Sequence, residues 1–138
     1  MILLCDEDIG TSVPEALHLV RRNRYTYNTI SILQKGWQSW KDPKWLKIAG
    51  QKHWLVFSAN KRMLSVAEEV NTIIEEKVGI VYLTSGEEHI DKVLWLLLVK
   101  WKWLEELDKN EQRPFAYFLS PKGQVKKQLL EPISAKAS

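Results

Sequence analysis

Asp6, Glu7 and Asp8 follow directly on the apolar run Ile2-Leu-Leu-Cys5. They are the first residues whose types and spacing can do chemistry. Side chains alternate along an extended chain, so Asp6 and Asp8 are expected to converge while Glu7 points away. Two carboxylates held close repel, and one resists ionisation unless a cation sits between them. A hard divalent cation with oxygen ligands, Mg2+ or Mn2+, suits such a pair. The same acids also read as a solvated loop, or as complements to the positive end of a following helix. Asp42, ahead of Pro43, has two readings as well: the N-cap of a helix, or a further ligand at the rim of a sheet.

Other apolar runs also end in polar residues. Ser58-Ala-Asn60-Lys61-Arg62 follows Trp54–Phe57, and Thr84-Ser85-Gly86 follows Gly79–Leu83. Lys61 and Arg62 either hold a phosphate or are exposed residues at a helix start. His18, His53 and His89 are scattered without metal-ligand spacing. Cys5 is the single cysteine. It excludes an internal disulfide, reads as a small buried residue, and fits a reducing, cytoplasmic setting.

Elements must place these residues. Ile2–Cys5, Tyr25–Leu33, Trp54–Phe57 and Gly79–Leu83 read as strands, rich in aliphatic and β-branched residues. Ser12-Val-Pro-Glu15 has the form of a capping box opening a helix, with Leu17 and Val20 on its apolar face. Asp42-Pro43 starts a second helix, with Trp45, Ile48 and Ala49 inward. Asn60–Arg62 leads into a third that runs to about Lys77, with Val66, Val70, Ile73 and Ile74 as its core stripe. A long helix is expected from about Glu87 to Asp108. Phe115–Leu119 and Gln124–Lys127 flank Ser-Pro-Lys-Gly, a β-turn sequence, and read as a hairpin.

Strands alternating with helices predict an α/β protein with a mostly parallel central sheet and helices on both faces. Ligands in such sheets bind beyond the carboxyl ends of the strands, where Asp6 and Asp8 fall. The 138 residues suit one domain, expected over 1–132, with a frayed tail over 133–138. The longest apolar run, Val93–Val99, is far short of the roughly 20 residues of a membrane span. No basic segment precedes the first apolar run, so no leader is expected. The net charge of +3 permits nucleic-acid contact without demanding it.

The chain contains seven tryptophans. In the long helix, Ile90, Leu94, Leu97, Trp101 and Leu104 form one apolar stripe, expected in the core. Trp95, Val99 and Trp103 form a second, either buried under the C-terminal segment or left as a partner surface. Trp37, Trp40 and Trp45 cluster near the acids. They either stack on bases or pack around a long loop.

In order and spacing, these segments resemble PIN-like domains. LLCDEDIG-x-x-VPEAL is similar to the family's opening, in which the first strand ends in an Asp-Glu-Asn-type motif before a helix. WKDPKWLKIAGQKHWLVFSANKR resembles the stretch in which an acid precedes a helix and an apolar strand ends in a Thr-x-Asp-Lys-type motif. GIVYLTSG resembles the fourth strand, and RPFAYFLSPKGQV the C-terminal strand of the VapC-type toxin subgroup. The likeness runs from about Met1 to Lys127. It implies a three-layer α/β/α fold and a metal-dependent ribonuclease, in VapC-type members a toxin held by an antitoxin. Asp6 then matches the first catalytic acid and Asp42 the acid before the second helix, while Asp8 stands where Asn or Ser is common. Mg2+ or Mn2+ would be held by Asp6, Asp8 and Asp42. Lys61 and Arg62 would meet substrate phosphate, with Ser58, Thr84 and Ser85 in support. An antitoxin or a homodimer would cover Trp95, Val99 and Trp103.

One departure stands out. Asn60 occupies the place of the usual Asp, so it offers an amide oxygen but no charge. A catalytically weakened module that binds RNA or protein is the alternative this leaves open. A phosphoacceptor receiver domain would need an acid at the end of the third strand, where this chain has Phe57-Ser58.

Overall fold

The computed structural model describes residues 1–21 and 29–134. Its sheet has six strands in the order β2-β1-β3-β4-β5-β6. The strands are β1 (Leu3–Cys5), β2 (Thr29–Ser31), β3 (Leu55–Ser58), β4 (Gly79–Leu83), β5 (Phe115–Leu119) and β6 (Val125–Gln128). All neighbouring pairs are parallel except β5 and β6, which form the expected hairpin. Five helices are described: α1 (Ser12–Arg21), α2 (Asp42–Lys52), α3 (Ala67–Glu75), α4 (Ile90–Val99) and α5 (Trp101–Asn110).

The alternating side chains of the parallel strands feed two cores, one on each face of the sheet. Leu3, Cys5, Leu55, Phe57 and Val81 pack with α1, α4 and α5 on one face. Leu4, Val56, Ile80 and Tyr82 pack with α2 and α3 on the other. Strands covered on both faces need continuous apolar runs, which is why LLC, LVFS and GIVYL show no polar alternation. The architecture is the three-layer α/β/α sandwich expected.

Several local expectations are corrected. Of the strand expected over Tyr25–Leu33, Thr29–Ser31 is extended and Tyr25–Asn28 lie outside the described residues. The strand stops because Ser31 Oγ accepts the Gln34 N–H at 2.9 Å and Gln34 Oε1 accepts the Ser31 N–H at 3.1 Å. Ser12 is the first helical residue rather than the cap, and the Glu15 N–H reaches back to the Thr11 carbonyl at 3.1 Å. Val20 is exposed.

Asn60–Arg62 does not lead directly into the third helix. Lys61–Ser65 forms a 3-10 turn, and α3 begins only at Ala67, leaving Val66 exposed ahead of it. The long helix is two helices. They meet at Lys100, whose N–H closes α4 on the Leu96 carbonyl while its own carbonyl accepts the Leu104 N–H of α5. Leu97, Trp101 and Leu104 of the expected stripe are buried, but Ile90, expected in the core, is 55% exposed at the start of α4. Ile133, expected to fray, is held at both its N–H and its carbonyl by the Asn71 side chain, at 3.0 and 2.8 Å. Among the described residues, no helix is long and apolar enough to cross a membrane.

Candidate metal and phosphate site

Every helix that follows a parallel strand and returns beside the sheet begins at the sheet's carboxyl edge. This topology gathers the ends of β1 and β3 and the first turns of α2 and α3 on one rim. The strand order changes direction between β1 and β3, the place where α/β sheets open a crevice. A cavity of about 430 Å³ lies there, lined by Asp6, Glu7, Asp8, Asp42 and the segment Ala59–Arg62.

Asp6 directly follows β1 and is only 4% exposed. One carboxylate oxygen accepts the Glu7 N–H at 2.7 Å, and the other accepts the Ser58 hydroxyl at 2.8 Å. Ser58 Oγ in turn accepts the Asn60 N–H at 2.9 Å, so the ends of β1 and β3 are pinned together through one buried hydroxyl. The Asp6 carboxyl is pushed up to about 7. Burial is the main cause and the Asp8 charge the next; the Ser58 and Glu7 hydrogen bonds oppose them.

Asp8 reaches the same cavity by a different route from the one expected. Glu7–Ile9 is a 3-10 turn with Asp6 as its N-cap, not a continued strand. The turn brings Asp8 Oδ1 to the Ala59 N–H at 3.2 Å. It also puts Glu7 on the cavity wall, where alternation had pointed it away. The Asp8 carboxyl is raised above its ordinary range by desolvation, with the Ala59 hydrogen bond opposing.

Asp42 lies in the first turn of α2, but the N-cap is Lys41, whose side chain makes no capping bond. Asp42 Oδ1 instead accepts the indole N–H of the fully buried Trp45 at 3.0 Å. This is the cause that the sequence pattern hid: the carboxylate is fixed by a core tryptophan one turn along.

Glu69 was not singled out from the sequence. It stands in the first turn of α3, and its carboxyl is pushed up to about 7, first by burial, then by its contact with Asp42 and by the Asp42, Glu68 and Asp6 charges. The signal was present in Glu68-Glu69 ahead of Val70 and Ile73. It is masked because a helix entered directly from Asn60–Arg62 runs through Lys61–Ser65 and puts these acids past its first turn.

The other expected residues fall as follows. Asn60, Lys61 and Arg62 line the cavity, and the two cations form no ion pair among the described residues. Ser58 is buried behind Asp6. Ser85 lines an adjoining cavity of about 190 Å³ on the far side of Glu7 and Asp8, and Thr84 spends its N–H on the Leu119 carbonyl at 3.0 Å. Trp95 and Val99 are exposed on α4, 47% and 52%, away from the acids. Trp103 does not share their surface; its ring meets Tyr117 edge-on at 5.5 Å and packs on the core.

Among the described residues, no group of three or more His, Cys, Asp or Glu side chains is arranged to hold one ion. Asp6, Asp8 and Asp42 are therefore not a ready-made three-carboxylate cage. Mg2+ does not require one, because it keeps several waters and takes one or two carboxylates together with substrate phosphate. The donor chemistry fits such an ion. The groups are all oxygen donors, and burial, with the Asp8 charge second, holds the Asp6 carboxyl above its ordinary range.

Fold and site together define a three-layer α/β/α domain with an acidic crevice at the carboxyl ends of its parallel strands. A family model for PIN-like domains matches residues 1–85, more than half of the 138, and the chain belongs to that family, whose fold is of nuclease type. The match takes in Asp6, Asp8, Asp42, Asn60, Lys61, Arg62, Glu69 and all of β1–β4. No curated protein and no solved structure matches the chain significantly.

Proposed function

We propose that the protein is a metal-dependent endoribonuclease, with the cavity between β1 and β3 as its active site. The observation that carries this reading is the set of carboxylates Asp6, Asp8 and Asp42 lining one crevice together with Lys61 and Arg62, with Glu69 in contact with Asp42 behind it. A bound Mg2+ or Mn2+ would supply Lewis acidity toward the phosphodiester and lower the pKa of a coordinated water.

The chain's own residues do the rest. Asp6 is the best oriented donor, held by the Ser58 hydroxyl and the Glu7 N–H. Trp45 fixes Asp42, and the Ala59 N–H fixes Asp8. Lys61 and Arg62, exposed and without an ion pair among the described residues, would hold the substrate phosphate. Asn60 contributes a neutral amide where the family usually has an acid. Asn60 also supports the second reading, a module that binds RNA without cutting it.

A VapC-type toxin with an antitoxin partner is the finer form of the proposal. It rests on the RPFAYFLSPKGQV hairpin and on the exposed Trp95 and Val99. The experiment is cleavage of a mixed structured-RNA pool by purified protein in Mg2+, Mn2+ or EDTA. Cutting that needs the metal and vanishes in Asp6→Asn is expected. No cutting in any metal by folded protein would overturn the nuclease, and Asn60→Asp would then show whether that one amide silences it.

A further inference from the structure

Trp37 and Trp40 stand in the loop between β2 and α2, with ring centroids 4.7 Å apart and 11° between their planes. The loop is folded tightly, with the Trp37 N–H on the Ile32 carbonyl at 3.0 Å and the Trp40 N–H on the Trp37 carbonyl at 2.9 Å. It runs straight into Asp42, on the wall of the acidic cavity. Both rings rest on the α2–α3 core yet remain half-exposed, unlike Trp45 beneath them, which is 1% exposed. The Lys44 ammonium lies 3.9 Å over the Trp40 ring and that of Lys35 is 5.9 Å from the Trp37 ring.

Here the largest apolar side chains form a fixed, partly open stack with a cation at each end. Aromatic faces interleaved with cations are the means by which single-stranded nucleic acid is held, the rings taking bases and the cations taking phosphates.

We infer that the Trp37–Trp40 stack, with Lys35 and Lys44, is a subsite for an unpaired base of the RNA strand whose phosphodiester enters the acidic cavity. The inference rests on the reading of that cavity as an RNA site. The base takes the outer face of Trp40, and the Lys44 ammonium moves from the ring to the adjoining phosphate. The strand then crosses Asp42 toward Lys61 and Arg62. Selectivity for unpaired RNA follows, because a base inside a duplex offers no free face.

The test is binding of a fluorescein-labelled, unstructured oligoribonucleotide in EDTA, read by anisotropy, so that cleavage plays no part. Trp40→Ala is expected to weaken binding about ten-fold, the worth of one stacked base. Trp40→Phe restores most of the affinity, Trp95→Ala changes nothing, and the same oligomer in a duplex binds weakly to all four proteins. Wild-type affinity in Trp40→Ala, or equal losses for single strand and duplex, would overturn the subsite. Should Trp40→Ala not fold, abasic residues placed along the oligomer replace it. One or two positions must then carry the ten-fold loss on wild-type protein, and a uniform profile overturns the inference. Tryptophan-dependent binding without metal-dependent cutting would remove the nuclease and keep the subsite; cutting without tryptophan dependence would do the reverse.

Discussion

Asp6 is the most strongly perturbed carboxylate of the crevice at the scale of single residues. Its carboxyl, raised to about 7, keeps its proton in the folded chain at pH values where the unfolded chain has lost it. The folded state thus binds more protons than the unfolded between the ordinary carboxylate range and about 7, and stability falls as the pH rises through that window. Glu69, also raised to about 7, acts in the same direction. The melting temperature in EDTA is therefore expected to be lower at pH 8 than at pH 5.5, and added Mn2+ should recover more of it at pH 8. Asp6→Asn should flatten the pH dependence. Ser58→Ala removes the hydroxyl that holds Asp6 down, and should cost about 1–2 kcal/mol in urea unfolding. At this scale the sequence was readable where identity alone decides, as in Asp6-Glu7-Asp8. It was not readable where a partner far along the chain decides, as with Ser58 and Asp6, fifty-two residues apart.

Elements, rather than residues, bring the remote acids together. Asp42 and Glu69 meet because α2 and α3 pack closely, and Gly50 makes that approach feasible. A Cβ at Gly50 would run into the backbone carbonyl oxygen of Glu76 at the end of α3. Gly50→Ala is therefore expected to destabilise the fold by about 1–3 kcal/mol and to weaken divalent-cation binding, although it touches no ligand. A contrast on α4 tests the helix break at Lys100. Leu97→Ala, in the core, should cost about 2–5 kcal/mol, whereas exposed Trp95→Glu should change stability by less than about 0.5 kcal/mol. The apolar runs of the parallel strands made the sheet legible, because burial on both faces leaves no other pattern. The turns were less legible. A 3-10 turn at Glu7–Ile9 or Lys61–Ser65 has no hydrophobic period of its own, so each was absorbed into its neighbour. That absorption hid Glu69.

For the whole molecule, strand order is what converts scattered acids into a site. β1 lies between β2 and β3, and the chain leaves it first to one side and then to the other. The crevice at that divergence is where Asp6, Asp8 and Asp42 gather, with Lys61 and Arg62 beside them and Glu69 reaching Asp42 from α3. Strand alternation alone would have joined Asp6 to Asp8 but could not have brought in α3. Everything proposed for this crevice depends on its binding a divalent cation. Calorimetric titration of Mn2+ into the protein at pH 7.5 tests it most directly, in buffers of different ionisation enthalpy. One site is predicted, with protons released on binding, and with affinity lowered at least about ten-fold in Asp6→Asn and in Glu69→Gln. No binding by folded protein, or binding that Asp6→Asn leaves untouched, would contradict it.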